Sequence, residues 1–176
     1  MTPVEQHQTA RPSRVRYAVV LVTTLVAFLL YLDRICMSEV VKSQSFLGEM
    51  GLDKTQIGTV LGAFFFAYAL AQVPAGWLSD RFGARSMMTF YIALWSFFTA
   101  LSGFAHGMTA LLVARMGLGI AQAGAYPTSS GLLSRWVTFE WRATASSIVA
   151  FGGRIGLAFA SLLTMRLIAG LGNWRL

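Results

Sequence analysis

Residues Gly76–Arg85 read GWLSDRFGAR. Apolar text ends at Leu78 and resumes at Met87, with Asp80, Arg81, Gly83 and Arg85 in between. A connection this short joins two antiparallel elements that leave on the same side. If both flanks are membrane helices, the positive charge of the turn makes that side cytoplasmic. The orientation of every other segment follows from this assignment.

Composition supports membrane flanks. The chain has 176 residues, of which 56% are hydrophobic and 12% charged, against about 25% charged in soluble domains. Its long runs lack the polar face of a soluble helix. Runs such as VLGAFFFAYALA from Val60 also lack the period-2 alternation of a membrane β-barrel. The expected fold is therefore an all-α, multi-pass membrane protein. A formal charge of +7 raises nucleic acid as a partner, but the basic residues gather at helix ends and short turns. That is the positive-inside pattern, and no nucleic acid is expected. The single cysteine, Cys36, excludes an intrachain disulfide and a cysteine-based metal site, and reads as a small packing residue. The first apolar run is not followed by an A-x-A site in the expected place, so it reads as a retained span.

Five spans are expected, over about 17–37, 55–78, 86–104, 108–131 and 143–165. Residues 1–16 read as a disordered cytoplasmic tail anchored by Arg11, Arg14 and Arg16. Residues 39–54 carry Glu39, Lys42, Glu49, Asp53 and Lys54 and read as an outside loop, with Asp53 or Thr55 available to cap the second helix. Gly58 and Gly62 are spaced for close helix contact, as are Gly152 and Gly156. Pro74 is placed to bend the inner end of the second span. Of the 14 basic residues, seven fall inside: the three of the tail, Arg81, Arg85, Arg135 and Arg142. Lys42, Lys54, Arg166 and Arg175 fall outside. The expected placement is a cell inner membrane with the N-terminus cytoplasmic. The chain stops at GNWRL, where a sixth span would begin, so residues 17–176 read as part of a larger bundle.

Asp33, Arg34, Arg115 and Arg154 fall within spans. An ionisable side chain at membrane depth costs a few kcal/mol, so each should face the bundle interior and have a partner or ligand. With three cations against one acid, an anionic substrate is the natural missing partner, since a guanidinium fork fits a carboxylate. Arg34 lies roughly 25 Å from the inner face and Arg115 roughly 10 Å below the outer face, counting about 1.5 Å per residue. Gln122, two turns beyond Arg115, and Tyr68 fall deeper. The expectation is an arginine layer above neutral hydrogen-bonding groups, suited to an acidic, hydroxyl-bearing molecule. Plainer readings stand beside it: a span boundary at Asp33-Arg34, snorkelling by Arg115, interhelical hydrogen bonding by Gln122, and packing by Tyr68. Arg154 faces either ligand or another helix. No cofactor or metal is expected. With no HExxH, GxSxG or paired aspartates, neither is enzyme activity.

The Gly76–Arg85 turn resembles the loop between the second and third helices of the major facilitator superfamily, at Gly76, Asp80, Arg81, Gly83 and Arg85. The LDR at Leu32–Arg34, VARMGLGIAQAGAYP at Val113–Pro127 and the Trp174–Arg175 pair resemble its anion:cation symporter branch, which includes sugar-acid transporters. The resemblance implies two six-helix halves around a central cavity with alternating access, of which this chain would carry five helices of the N-terminal half. It also implies that Asp33, Arg34, Arg115 and Tyr68 belong to the substrate and proton site, and that Asp80 contacts the other half to hold an outward-facing state. Sugar-acid symporters of the branch usually carry glutamate where this chain has Gln122, which leaves Asp33 as the one proton-titrating group. The function implied is secondary active transport of small organic anions, with protons as a possible co-substrate and the lipid bilayer and a missing C-terminal half as partners. The alternative is a non-transporting membrane fragment or helix-binding scaffold subunit.

Overall fold

The computed structural model describes residues 14–172 and Trp174. Most of the expected tail, including Arg11, and Arg175 of the terminal Trp-Arg pair lie outside the described residues. The described chain folds into seven helices: α1 (Val15–Val40), α2 (Gln44–Met50), α3 (Lys54–Phe82), α4 (Ala84–Gly103), α5 (Met108–Ala123), α6 (Ala125–Trp136) and α7 (Phe139–Leu171). Among them α1, α3, the α5–α6 pass and α7 are long and apolar enough to cross a membrane. Helix α4 is shorter, with Arg85, Tyr91, Trp95 and five serines and threonines in its 20 residues.

The charged turn is tighter than its sequence suggests. Helix α3 runs through Asp80 and Arg81 to Phe82, and α4 begins at Ala84. Gly83 alone reverses the chain, at φ +90°. A side chain strains the backbone in that region, which accounts for glycine there. The break between α5 and α6 has a different cause. Pro127 stands in the first turn of α6, where proline is tolerated, but it supplies no N–H to the carbonyl of Ala123. The expected span over 108–131 accordingly continues in a second segment to Trp136. Arg142 closes the end of α6 by donating to the carbonyls of Ser134 (2.6 Å) and Val137 (3.1 Å), the position where a cation also meets the negative helix end.

Helix starts follow from local chemistry. Asp53 accepts from the Gln56 N–H at 2.7 Å, and the Gln56 side chain accepts from the Asp53 N–H at 2.9 Å. This reciprocal capping box opens α3. Residues 39–54, expected as a loop, instead hold α2, which Ser43 caps. Its Phe46 is fully buried and meets the Trp174 ring edge-on at 5.0 Å, while Trp174 Nε1 donates to Glu49 at 2.6 Å. That end of the bundle is thereby covered.

Packing is organised in two pairs, α1 with α7 and α3 with α5, joined through α4 and α6. The α1–α7 crossing uses the expected glycines: a Cβ on Gly152 would strike the Thr24 side chain, and one on Gly156 the Phe28 carbonyl. The other expected pair fails. Gly58 and Gly62 face open space, and α3 instead meets α5 where Gly119 lies against the backbone of Phe64 and Tyr68. The exterior carries Phe65, Phe66, Leu70, Phe90, Phe97, Phe151 and Leu162, whereas Thr23, Ser79, Arg115, Gln122, Thr128 and Thr164 are buried. A soluble domain puts such side chains the other way round. Lipid tolerates this arrangement because the helices satisfy their own backbone.

Candidate functional site

Asp33 and Arg34 are neighbours in sequence but serve different compartments. Successive residues on an α-helix point about 100° apart. Arg34 turns toward α3, where its guanidinium carbon lies 4.6 Å from the Tyr68 ring centre, 4.9 Å from Phe64 and 5.5 Å from Tyr31. Its Nε and Nη2 are buried and have no hydrogen-bond partner. Three ring faces hold the cation, each worth about 0.5–2 kcal/mol, but a ring face does not replace an oxygen for the N–H groups. Tyr31 in turn meets Tyr126 edge to face at 6.5 Å. The open backbone of Gly153 makes room for both: its Cβ would lie 2.7 Å from the Tyr31 ring and 3.5 Å from the Tyr126 hydroxyl. The result is a guanidinium with unfilled donors beside three phenols from α1, α3 and α6.

Asp33 turns the other way, toward α4, and accepts from Thr99 Oγ1 at 2.8 Å. Arg115 is 5% exposed and lies within electrostatic reach of Asp33. Among the described residues the only ion pair within 4.0 Å is Lys42–Glu39, and Arg115 Nε is buried without a partner. Arg115 and Asp33 line a cavity of about 260 Å³ with Cys36, Thr99, Ser102 and Thr164. Thr164 Oγ1 donates to Cys36 Sγ at 3.1 Å, so the cysteine is a hydrogen-bonded wall of this cavity as well as a packing residue.

The expected layering is therefore rearranged. Tyr68 is in direct contact with Arg34, not a layer below it. Arg115 is placed with Asp33 on the α4 side. Gln122 is fully buried, with neither Oε1 nor Nε2 hydrogen-bonded. It lies one turn beyond Gly119, whose backbone touches Phe64 and Tyr68.

Tyr31 and Tyr126 were not singled out in the sequence, although the signal was present. Tyr31 precedes Arg34 by three residues and Tyr126 follows Gln122 by four, spacings that share a helix face. A second group without a sequence signal is a buried hydroxyl network beside the charged turn. Tyr91 donates to the Ala75 carbonyl at 2.7 Å, Ser79 hydrogen-bonds Thr128, and Thr128 donates to the Gly124 carbonyl at 2.6 Å. It ties α3, α4 and α6 together above the turn. In the turn itself, Gly76 lies against Pro127, where an added Cβ would sit 3.3 Å away. Asp80, Arg81 and Arg85 are exposed, and Arg81 rests over Trp77 at 5.2 Å.

Known proteins share both the sequence and the fold. Residues 23–176 match the Major Facilitator Superfamily. A probable sulfoacetate transporter of Cupriavidus necator is 33% identical over 162 residues, covering 92% of this chain and 37% of that protein. A D-galactonate transporter of Escherichia coli O6:H1 is 35% identical over 156 residues, 88% of this chain and 35% of its own length. A probable galactarate/D-glucarate transporter of Pseudomonas putida is 34% identical over 147 residues, covering 80% and 32%. The chain thus spans about a third of the length of the curated relatives it matches. Among solved structures, an inward-facing, unoccupied bacterial homolog of the human lysosomal transporter Spinster superposes with a TM-score of 0.82 at 27% identity, covering 88% of this chain and 32% of that one. The inside-out bundle, the glycine-pivoted charged turn and the match over residues 23–176 agree: this multi-pass membrane chain belongs to the Major Facilitator Superfamily.

Proposed function

We propose that this chain forms part of a secondary active transporter for small organic anions such as sugar acids, working by alternating access in a cell inner membrane with its N-terminus cytoplasmic. The observation that carries this reading is the Arg34 guanidinium, buried with two nitrogens unpartnered. A buried, unsatisfied cation is costly, and a carboxylate supplies both the charge and the paired acceptors that the fork requires. Tyr31, Tyr68 and Tyr126 supply hydroxyls that can donate to or accept from substrate hydroxyls. Gln122 offers the same in neutral form. The relatives named for sulfoacetate, D-galactonate and galactarate/D-glucarate all carry acids, which supports an anionic substrate.

Asp33 is the candidate proton site. When it carries a proton, the charge of Arg115 beside it is left uncompensated, and the positive potential around the anion site rises. That couples proton uptake to anion uptake with the sign of a symporter. Asp80, exposed at the turn without an ion pair among the described residues, is the candidate contact to the remaining half of the transporter. A helix-binding scaffold would not need unfilled donors against tyrosines in its core.

Uptake of labelled galactonate into liposomes holding the full-length protein that carries this sequence tests the reading. Arg34→Ala is expected to lower uptake at least a hundred-fold. Undiminished uptake in Arg34→Ala refutes the site.

A further inference from the structure

Arg154 stands near the middle of α7, 15 residues after Phe139 and 17 before Leu171. At about 1.5 Å per residue this is more than 20 Å from either helix end, too deep for the side chain to reach an interface by snorkelling. Its side chain is exposed and makes no hydrogen bond or ion pair among the described residues. A cation left against hydrocarbon at this depth is costly, so a group beyond the described residues meets it.

The helix itself sets the direction. Ala145, Val149, Gly152, Gly156 and Ala160 are buried, and the two glycines back onto Thr24 and Phe28 of α1. At about 100° per residue, Arg154 lies about 160° round the helix from that stripe, on the opposite face. Ala143, Ser147, Ala150 and Ala158 are exposed and lie within about 40° of Arg154. Ile148, Phe151, Ile155 and Leu162 are exposed too, but they form a separate strip about 90° away. Helix α7 thus turns one face to α1, a bulky apolar strip suited to lipid, and a third face of small side chains around one arginine. Small residues mark the helix faces that let another backbone come close within a membrane.

We infer that this third face of α7 seats a membrane-spanning helix from the rest of the full-length protein, and that this helix carries an aspartate or glutamate level with Arg154. The matched relatives are about three times as long as the stretch they share with this chain, which leaves room for such a helix. Charge complementarity names its chemistry. A carboxylate neutralises the guanidinium and offers its fork two paired acceptors. A lipid headgroup does not reach, because it stays about 15 Å from the middle of the hydrocarbon. The small residues flank Arg154 over about four turns, the footprint of a packed helix. Docking buries both charges, so each requires the other. The acid accordingly falls near the middle of its own span of about 20 residues.

Charge exchange in the full-length protein carrying this sequence tests it. Arg154→Glu is expected to lower the yield of folded, monodisperse protein about ten-fold. Changing the mid-span acid to arginine in the same chain is expected to restore most of that yield, whereas the acid-to-arginine change alone is as harmful as Arg154→Glu. A cysteine pair leaves both charges in place and decides the matter where exchanged proteins fail to insert. Ala158→Cys, one turn from Arg154, is expected to form a disulfide under oxidant with a cysteine placed one turn from the acid. Absence of that crosslink overturns the inference, as does a full-length sequence with no acid in the middle of any other span. Arg154→Gln protein with wild-type yield and Tm but weakened uptake also overturns it, and places Arg154 on an aqueous path.

Discussion

The two arginines that α1 and α5 place in the bundle live in contrasting surroundings. Arg34 is held by ring faces, with donors left open. Arg115 is more deeply buried and has a carboxylate, Asp33, beside its cavity. Aromatic faces stabilise a cation without consuming its hydrogen bonds, so Arg34 remains ready for a ligand. A nearby carboxylate offsets a buried cation whether or not a ligand is present. The same residue type thus reads as a binding group in one place and as part of a charge-coupling element in the other. The difference lies in what surrounds the guanidinium, not in its depth.

That contrast can be broken experimentally. The largest effect is expected at the Asp33–Arg115 compartment. Asp33→Ala orphans the Thr99 hydroxyl and leaves Arg115 uncompensated, and is expected to destabilise the folded protein by about 3 kcal/mol, read as a lowered Tm in detergent. The double variant Asp33→Ala with Arg115→Met should recover most of that loss without recovering uptake. A Tm unchanged by Asp33→Ala would show that the two do not form a charge unit. Next in size, Arg34→Lys keeps the charge but not the fork, and is expected to lower galactonate uptake about ten-fold to a hundred-fold with Tm nearly unchanged. If Arg34→Lys unfolds the protein instead, Arg34 is structural.

Smaller effects sharpen the picture. Gly156→Ala pushes a methyl into the Phe28 carbonyl across the α1–α7 crossing and should cost about 1–3 kcal/mol, measurable by thermal unfolding. Tyr126→Phe removes one hydroxyl from the cage and should raise KM for a sugar acid with little change in kcat. The loss is about 1 kcal/mol, or several-fold. An unchanged KM would place that hydroxyl outside the binding region. Gly62→Ala, at a position open to space, should change the stability by less than about 0.5 kcal/mol, read by thermal unfolding.

Much of this architecture was legible in the residues. The charged turn, the apolar runs and a helix cap at Asp53 or Thr55 are local patterns, and local patterns survive folding. The glycines show where legibility stops. Gly58 and Gly62 have the same four-residue spacing as Gly152 and Gly156, yet only the second pair meets another helix. Spacing says that two residues share a face; it does not say what that face meets. The same limit explains why Arg34 and Arg115 were expected in one layer. Residue counts speak only to depth, and the direction of each side chain depends on where α3, α4 and α7 stand around α1. Helix α2 was missed because a seven-residue segment with charged residues on both sides shows no strong periodicity. It is held by Phe46 against Trp174, a contact between residues more than a hundred positions apart.

Equilibrium binding of galactonate to the purified full-length protein carrying this sequence, by titration calorimetry, tests the role of Arg34 most directly. Arg34→Ala should weaken binding at least a hundred-fold, about 2.7 kcal/mol, while Arg166→Ala, exposed near the C-terminal end of α7, should leave Kd unchanged. An Arg34→Ala protein that binds galactonate as tightly as the wild type would contradict the assignment of this guanidinium as the anion's anchor.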